Sequence, residues 1–194
     1  MKTNLIGISG KIGSGKSTLS EMIEKHLYDI IYTNNSNSTI FNIEQKFFAS
    51  NVKKIHELLT GHPGYTQENK NLFLEEYGFN VGIGLQKIGE GLRELYHPDV
   101  WIISTLTNLY PTTVTIINDC RYPNEVTAIK DRGGIVIRLN GDPAKVRENS
   151  LRDHNHSSEI ALDTCDKFDI VFDNIHGLKE LDSFAKKIVM DFCF

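Results

Sequence analysis

Residues 10–17 read Gly-Lys-Ile-Gly-Ser-Gly-Lys-Ser, with glycine at the first and sixth places, then lysine and a hydroxyl residue. Few stretches of this length leave a chain less freedom. The glycines let the backbone wrap with its N–H groups turned inward, a cradle for a phosphate. This is the pattern G-x-x-x-x-G-K-[ST]. In it Lys16 reaches the β- and γ-phosphates of a nucleotide and the Ser17 hydroxyl ligates Mg²⁺. A helix must follow, and its positive N-terminal end adds to the anion site.

The flanks meet that requirement. Asn4-Leu5-Ile6-Gly7-Ile8 is a short apolar run suited to a buried strand, and Leu19, Met22, Ile23 and Leu27 then recur at helical spacing. Four fixed positions would match by chance in roughly one chain of this size in a hundred. The bland alternative is a glycine-rich turn with an exposed lysine, which has no need of the strand and the helix.

The 194 residues suffice for one α/β domain with an inserted subdomain. With 40% hydrophobic and 24% charged residues, the composition is that of an ordinary soluble protein. A net charge of -4 argues against a general nucleic-acid-binding surface, while a local basic patch can still hold a small anion. No apolar run is long enough to span a membrane, and the first strand is too short and too soon followed by the glycine loop for a signal peptide. Cys120, Cys165 and Cys193 are odd in number and lack C-x-x-C spacing, so a reducing cytoplasm is expected. His154 and His156 have no matching cluster to complete tetrahedral metal ligation.

Along the chain, Thr33–Thr39 reads as a polar surface loop and Ile43–Phe48 as a second strand. A helix over Val52–Leu59 is stopped by Gly61 and Pro63. From Gly64 to Tyr110 the pattern is mainly helical, with Val81, Leu85, Ile88, Leu92 and Leu95 as one apolar stripe. Pro98 suits the first turn of another helix that carries Trp101, Ile102, Thr105, Leu106 and Leu109. Residues 57–110 are the expected helical insertion. Val114–Asn118 is a buried strand and Pro123–Lys130 a helix ended by Gly133-Gly134. Ile135–Leu139 and Phe168–Phe172 are strands, and Leu178 to Val189 is a terminal amphipathic helix. Strands alternating with helices imply a doubly wound parallel sheet, with ligands at the carboxyl ends of its strands.

Asp119-Cys120-Arg121 closes one of those strands. Side chains two apart share a side, so Asp119 and Arg121 can face one pocket while Cys120 turns away. Glu125 lies one helical turn further on. A carboxylate there can ligate Mg²⁺ or accept from a sugar or base, and the arginine can grip a phosphate with two N–H groups. A strand-end salt bridge explains the same residues equally well.

The stretch from Ile116 through Asp119-Cys120-Arg121-Tyr122-Pro123-Asn124-Glu125 to Gly133-Gly134 and Leu139 resembles phage deoxynucleoside monophosphate kinases. These are P-loop kinases of the nucleoside monophosphate kinase class. The resemblance covers the P-loop, D-x-R-x-x-x-E, the H-x-S-E-like His156-Ser157-Ser158-Glu159 and a C-terminal strand and helix. It is weakest over residues 29–80. It implies that Gln86, Gly89 and Trp101, with Lys11, Asp119, Arg121 and Glu125, line the acceptor site. A tryptophan offers a flat face to a base and a glutamine can read a base edge. Unaided, Trp101 reads as a core aromatic. The chain departs from the family just before Gln86, where Val81-Gly82-Ile83-Gly84 replaces basic residues; Arg93, Lys53 or Lys54 could supply the missing contact.

The resemblance implies transfer of the γ-phosphoryl group of ATP to a deoxynucleoside 5′-monophosphate, with Mg²⁺, in a single P-loop kinase domain spanning 1–194. Gly13, Ser14, Gly15, Lys16, Ser17 and Thr18 form the expected ATP-binding set, and Ser17 and Asp119 the metal donors. Residues 140–160 form a lid-like segment in which Arg147, or Arg152, can neutralise charge on the transferring group. Both arginines also fit a solvated charged helix. Lys16, Arg121 and Arg147 are the expected catalytic residues. The partners implied are small nucleotides, neither nucleic acid nor membrane, and a second copy of the chain. The setting is the host cytoplasm if the chain is phage-encoded. A P-loop kinase for another small acceptor, such as dephospho-coenzyme A, and a non-catalytic nucleotide-binding switch are the rival readings.

Overall fold

A computed structural model describes residues 3–33, 40, 42–143, 145, 157–175 and 177–193. In chain order these form β1 (Leu5–Ser9), α1 (Lys16–Thr33), β2 (Asn42–Lys46), α2 (Ser50–Thr60), α3 (Gln67–Asn71), β3 (Phe73–Leu74), β4 (Phe79–Asn80) and α4 (Val81–Leu95). Then come α5 (Val100–Leu106), β5 (Thr113–Cys120), α6 (Pro123–Lys130), β6 (Ile135–Asn140), α7 (Ser157–Ile160), β7 (Ile170–Asp173), α8 (Leu178–Ile188) and a π-helical turn, Val189–Cys193. They divide into two compact units, Met1–Lys46 with Leu109–Phe194, and Phe47–Asn108. No helix among the described residues is long and apolar enough to cross a membrane.

The first unit is a doubly wound α/β fold. Its sheet runs β2-β5-β1-β6-β7 with every neighbouring pair parallel. β1 is buried at all five positions, as a strand covered on both faces must be. Ile6 and Ile8 turn to the face where Leu19, Ile23 and Leu27 of α1 meet Leu181, Ala185 and Ile188 of α8. Gly7 turns the other way, toward Ile129 of α6. Both faces are therefore closed by helices, and the carboxyl ends of β1, β5, β6 and β7 lie along one edge. The polar loop expected at 33–39 falls almost wholly outside the described residues.

β5 departs from simple alternation at its end. Gly7 pairs with Ile117 but Ser9 with Cys120, so β5 carries one extra residue there. Such a bulge re-aims the side chains around it. Beyond it Cys120 is buried while Asp119 and Arg121 on either side are half-buried.

The second unit holds α2 to α5. The segment expected to be mainly helical includes a small hairpin, β3 with β4 antiparallel, turned through Gly78 at φ 69°. Two-residue strands are too short to show a period in sequence. Of the expected α4 stripe, Val81 is buried but Leu95, the last residue of the helix, is 85% exposed. Pro98 precedes α5 rather than opening it. The Val100 N–H bonds the His97 carbonyl at 3.0 Å and the Asp99 N–H bonds His97 Nδ1 at 3.0 Å, so a turn takes up that stretch.

Candidate functional site

β1 ends at Ser9 and the chain turns at once into the glycine loop, with α1 beginning at Lys16. A side chain at Gly10 would run into the Leu139 carbonyl oxygen on the adjacent strand. Gly15 holds φ 94°, and a Cβ there would come within 2.7 Å of Asn174 Nδ2. That amide donates to the Ser14 carbonyl at 3.0 Å, so the strand end after β7 pins the loop. The Ser14 N–H closes the loop on the Lys11 carbonyl at 3.2 Å. Lys16 Nζ lies folded over the loop, donating to the carbonyls of Gly10 at 2.7 Å and Lys11 at 2.8 Å. The Lys16 ammonium and the N-terminus of α1 thus stand together at this loop, both favouring an anion.

Two supports tie this loop to its neighbours. Ser20 Oγ donates to the Ser17 carbonyl at 2.8 Å and accepts from Asn118 Nδ2 at 3.0 Å, joining the first turn of α1 to the end of β5. Asp163 accepts from Lys11 Nζ at 2.6 Å and from Arg138 NH2 at 3.2 Å, while Arg138 NH1 donates to Ser9 Oγ at 3.1 Å. Asp163 and Lys11 are about one-third exposed, so that pair contributes little to stability.

At the end of β5, Asp119 is half-buried and Glu125 is 2% exposed. Glu125 Oε2 accepts the backbone N–H of Arg121 at 2.6 Å and of Tyr122 at 3.1 Å. It stands at the third position of α6 and reaches back over the helix start, which satisfies donors the helix cannot. The Arg121 guanidinium donates through NH1 to the buried Glu159 carboxylate and to the Ser158 carbonyl at 3.4 Å. Burial works against the charge on Arg121, but Glu159, then Asp119 and Glu125, more than offset it and hold its pKa above the ordinary arginine value. Arg121 does form a salt bridge, but among the described residues its bonded partner is Glu159 of α7, not a neighbour at the same strand end. Burial, reinforced by Glu125 and Asp119, pushes the neighbouring Cys120 thiol well up. That sulfur is a space-filling group, not a nucleophile.

In the second unit, Gly89 and Trp101 come together. The indole N–H donates to the Gly89 carbonyl at 2.9 Å, and Trp101 is 2% exposed. Gln86 is exposed on α4. Lys54, Leu92, Tyr96, Val100, Trp101 and Ser104 border a groove of about 410 Å³.

Arg147, Arg152, His154 and His156 lie outside the described residues, as does most of segment 140–160. No group of three or more His, Cys, Asp or Glu among the described residues could hold a metal ion. The Ser17 hydroxyl and the Asp119 carboxylate are hard oxygen donors. Oxygen donors of this kind suit Mg²⁺, which keeps several waters and takes substrate phosphates as ligands.

The sequence alone assigns no role to Asn118, Glu159, Asp163 or Asn174, and it groups Arg138 with Arg147 and Arg152 beside the lid-like segment, whereas Arg138 bonds Ser9 and Asp163. Glu159 ends the H-x-S-E-like segment and Asn118 adjoins Asp119. Asp163 and Asn174 carry no local signal, since only the strand order brings them to the loop.

No protein-family model matches the chain. A protein of Acanthamoeba polyphaga mimivirus, provisionally named a deoxynucleotide monophosphate kinase, is 27% identical over 199 residues, covering 92% of this chain and 92% of its own. Among solved structures, dephospho-CoA kinase from Campylobacter jejuni aligns with 98% of this chain and 97% of its own, at 12% identity and a TM-score of 0.43.

Proposed function

We propose that this protein transfers the γ-phosphoryl group of ATP to a deoxynucleoside 5′-monophosphate, giving the diphosphate. The observation that carries the reading is the pinned glycine loop with Lys16 folded over it, next to a strand end that presents Arg121. The mimivirus relative, similar over nearly its whole length, supports the choice of acceptor.

The acceptor phosphate is already a competent nucleophile, so positioning and charge neutralisation carry the rate rather than a general base. The loop amides hold the β- and γ-phosphates of ATP. Lys16 leaves the carbonyls of Gly10 and Lys11 for the γ-phosphate, where charge grows in the transition state. Mg²⁺, when bound, spreads the charge of the same phosphates. Ser17 and Asp119 are its protein donors in this reading. Arg121 grips the acceptor phosphate, and Lys11 lines the acceptor site once its ammonium leaves Asp163. Gln86 reads a base edge, and Trp101 offers the ring face that borders the groove. Arg147 supplies charge from the lid-like segment.

The test is a direct transfer assay with ATP, Mg²⁺ and each common deoxynucleoside and ribonucleoside monophosphate, with dephospho-coenzyme A as a further acceptor. Diphosphate formed from at least one deoxynucleoside monophosphate is the expected result. Transfer to dephospho-coenzyme A alone, or hydrolysis of ATP without transfer, refutes it.

A further inference from the structure

A guanidinium can grip a phosphate through two edges, end-on with its two terminal nitrogens or side-on with Nε and NH2. In this protein the choice is already made. NH1 of Arg121 donates to the Glu159 carboxylate and to the Ser158 carbonyl, which uses both of its protons. Nε and NH2 have no hydrogen-bond partner among the described residues. The end-on edge is spent and the side-on edge is intact. The Glu159 side chain is 6% exposed and that of Arg121 29%, so the carboxylate is the more enclosed of the two.

The anchor has depth. The Arg121 backbone N–H is fixed by Glu125, and the Tyr122 hydroxyl lies 3.1 Å from Ser157 Oγ. Residues 121–122 are thus held against residues 157–159 at several points, and Arg121 is restrained at both its main chain and its tip. An arginine free in solution would lose much rotamer freedom on gripping a ligand. One whose NH1 is already tied loses less, which is preorganisation.

We infer that Glu159 is a positioning residue: it ties down NH1 so that the Nε–NH2 edge of Arg121 faces the acceptor phosphate. This rests on the proposed function for the identity of the ligand, but not for the anchor itself.

The experiment compares Glu159→Ala, which removes the acceptor of the NH1 bond, with Glu159→Gln, which keeps an oxygen there. Guanidinium ¹⁵N–¹H signals of Arg121 are recorded in the ligand-free protein. Affinities for ATP and for each of the four deoxynucleoside monophosphates are measured by calorimetry, with melting temperature as the control for folding. In the wild type and in Glu159→Gln, slowed and dispersed NH1 signals are expected; in Glu159→Ala they collapse. Monophosphate affinity should fall about tenfold in Glu159→Ala and stay within about twofold in Glu159→Gln, with ATP affinity unchanged in both. In an Arg121→Ala background, Glu159→Ala should cost nothing further, since the two act as one unit.

Wild-type monophosphate affinity in a folded Glu159→Ala overturns the inference. So does an equal loss for ATP, or a second full loss on top of Arg121→Ala. Freely rotating Arg121 signals in the wild type remove the anchor whatever binds. Anchored signals in a protein that binds no monophosphate leave the anchor standing but overturn the acceptor role, which separates failure of the function from failure of the geometry.

Discussion

Glu125 separates support from ligand contact. Its carboxylate is 2% exposed and accepts two backbone N–H groups, Arg121 at 2.6 Å and Tyr122 at 3.1 Å. Hydrogen bonds to a charged group contribute about 1.5–3 kcal/mol each, so Glu125→Ala should cost roughly 3–6 kcal/mol. That is a large share of the about 5–15 kcal/mol that holds a typical domain together. Glu125→Gln keeps one oxygen over the helix start and should cost about half as much, since the bonds lose their charge. Urea unfolding followed by far-UV circular dichroism gives the stability, and calorimetry with deoxynucleoside monophosphates gives acceptor affinity. The expected order of stability is wild type, then Gln, then Ala. Acceptor affinity should fall only as far as Arg121 is displaced. An unfolding free energy for Glu125→Ala within about 0.5 kcal/mol of wild type, together with lost acceptor binding, would refute the capping role and put the carboxylate on the ligand.

Lys16→Ala should lower turnover by at least about a hundredfold with the circular dichroism spectrum unchanged, because the ammonium meets charge that develops in the transition state; near-normal turnover would exclude this loop from the chemistry. Trp101→Phe should cost about 1 kcal/mol through the lost bond to Gly89, and Trp101→Ala about 3–5 kcal/mol through lost packing. A drop in acceptor affinity in Trp101→Phe that exceeds its drop in stability would assign the ring to the ligand. Burial pushes the Cys193 thiol from 9.0 up to about 12. Between those values the unfolded chain releases a proton that the folded chain keeps. The contribution is therefore complete below about pH 9, and stability falls above it by up to about 1.4 kcal/mol per pH unit. Urea titrations at pH 7 to 10.5 on the wild type and Cys193→Ala should differ by that slope, and parallel curves would show the thiol to be solvated.

What the residues by themselves determined was local. The glycine loop demanded a strand before it and a helix after it, and β1 and α1 are there because backbone freedom and apolar spacing are settled within a few residues. α6 begins at Pro123 and ends at Lys130, as read, because proline suits a first turn and Gly133-Gly134 suits an exit. The hairpin at 73–80 and the bulge in β5 were not legible, since neither has a period and each depends on a partner strand. Nor were the bonds that shape the site. Arg121 meets Glu159 across 38 residues and Asn174 meets Ser14 across 160. An arginine in sequence shows its charge but not which of its nitrogens is already taken. Only the order of strands in the sheet decides that, by bringing four distant chain segments to one edge, where desolvation makes each unpaired polar group seek a partner.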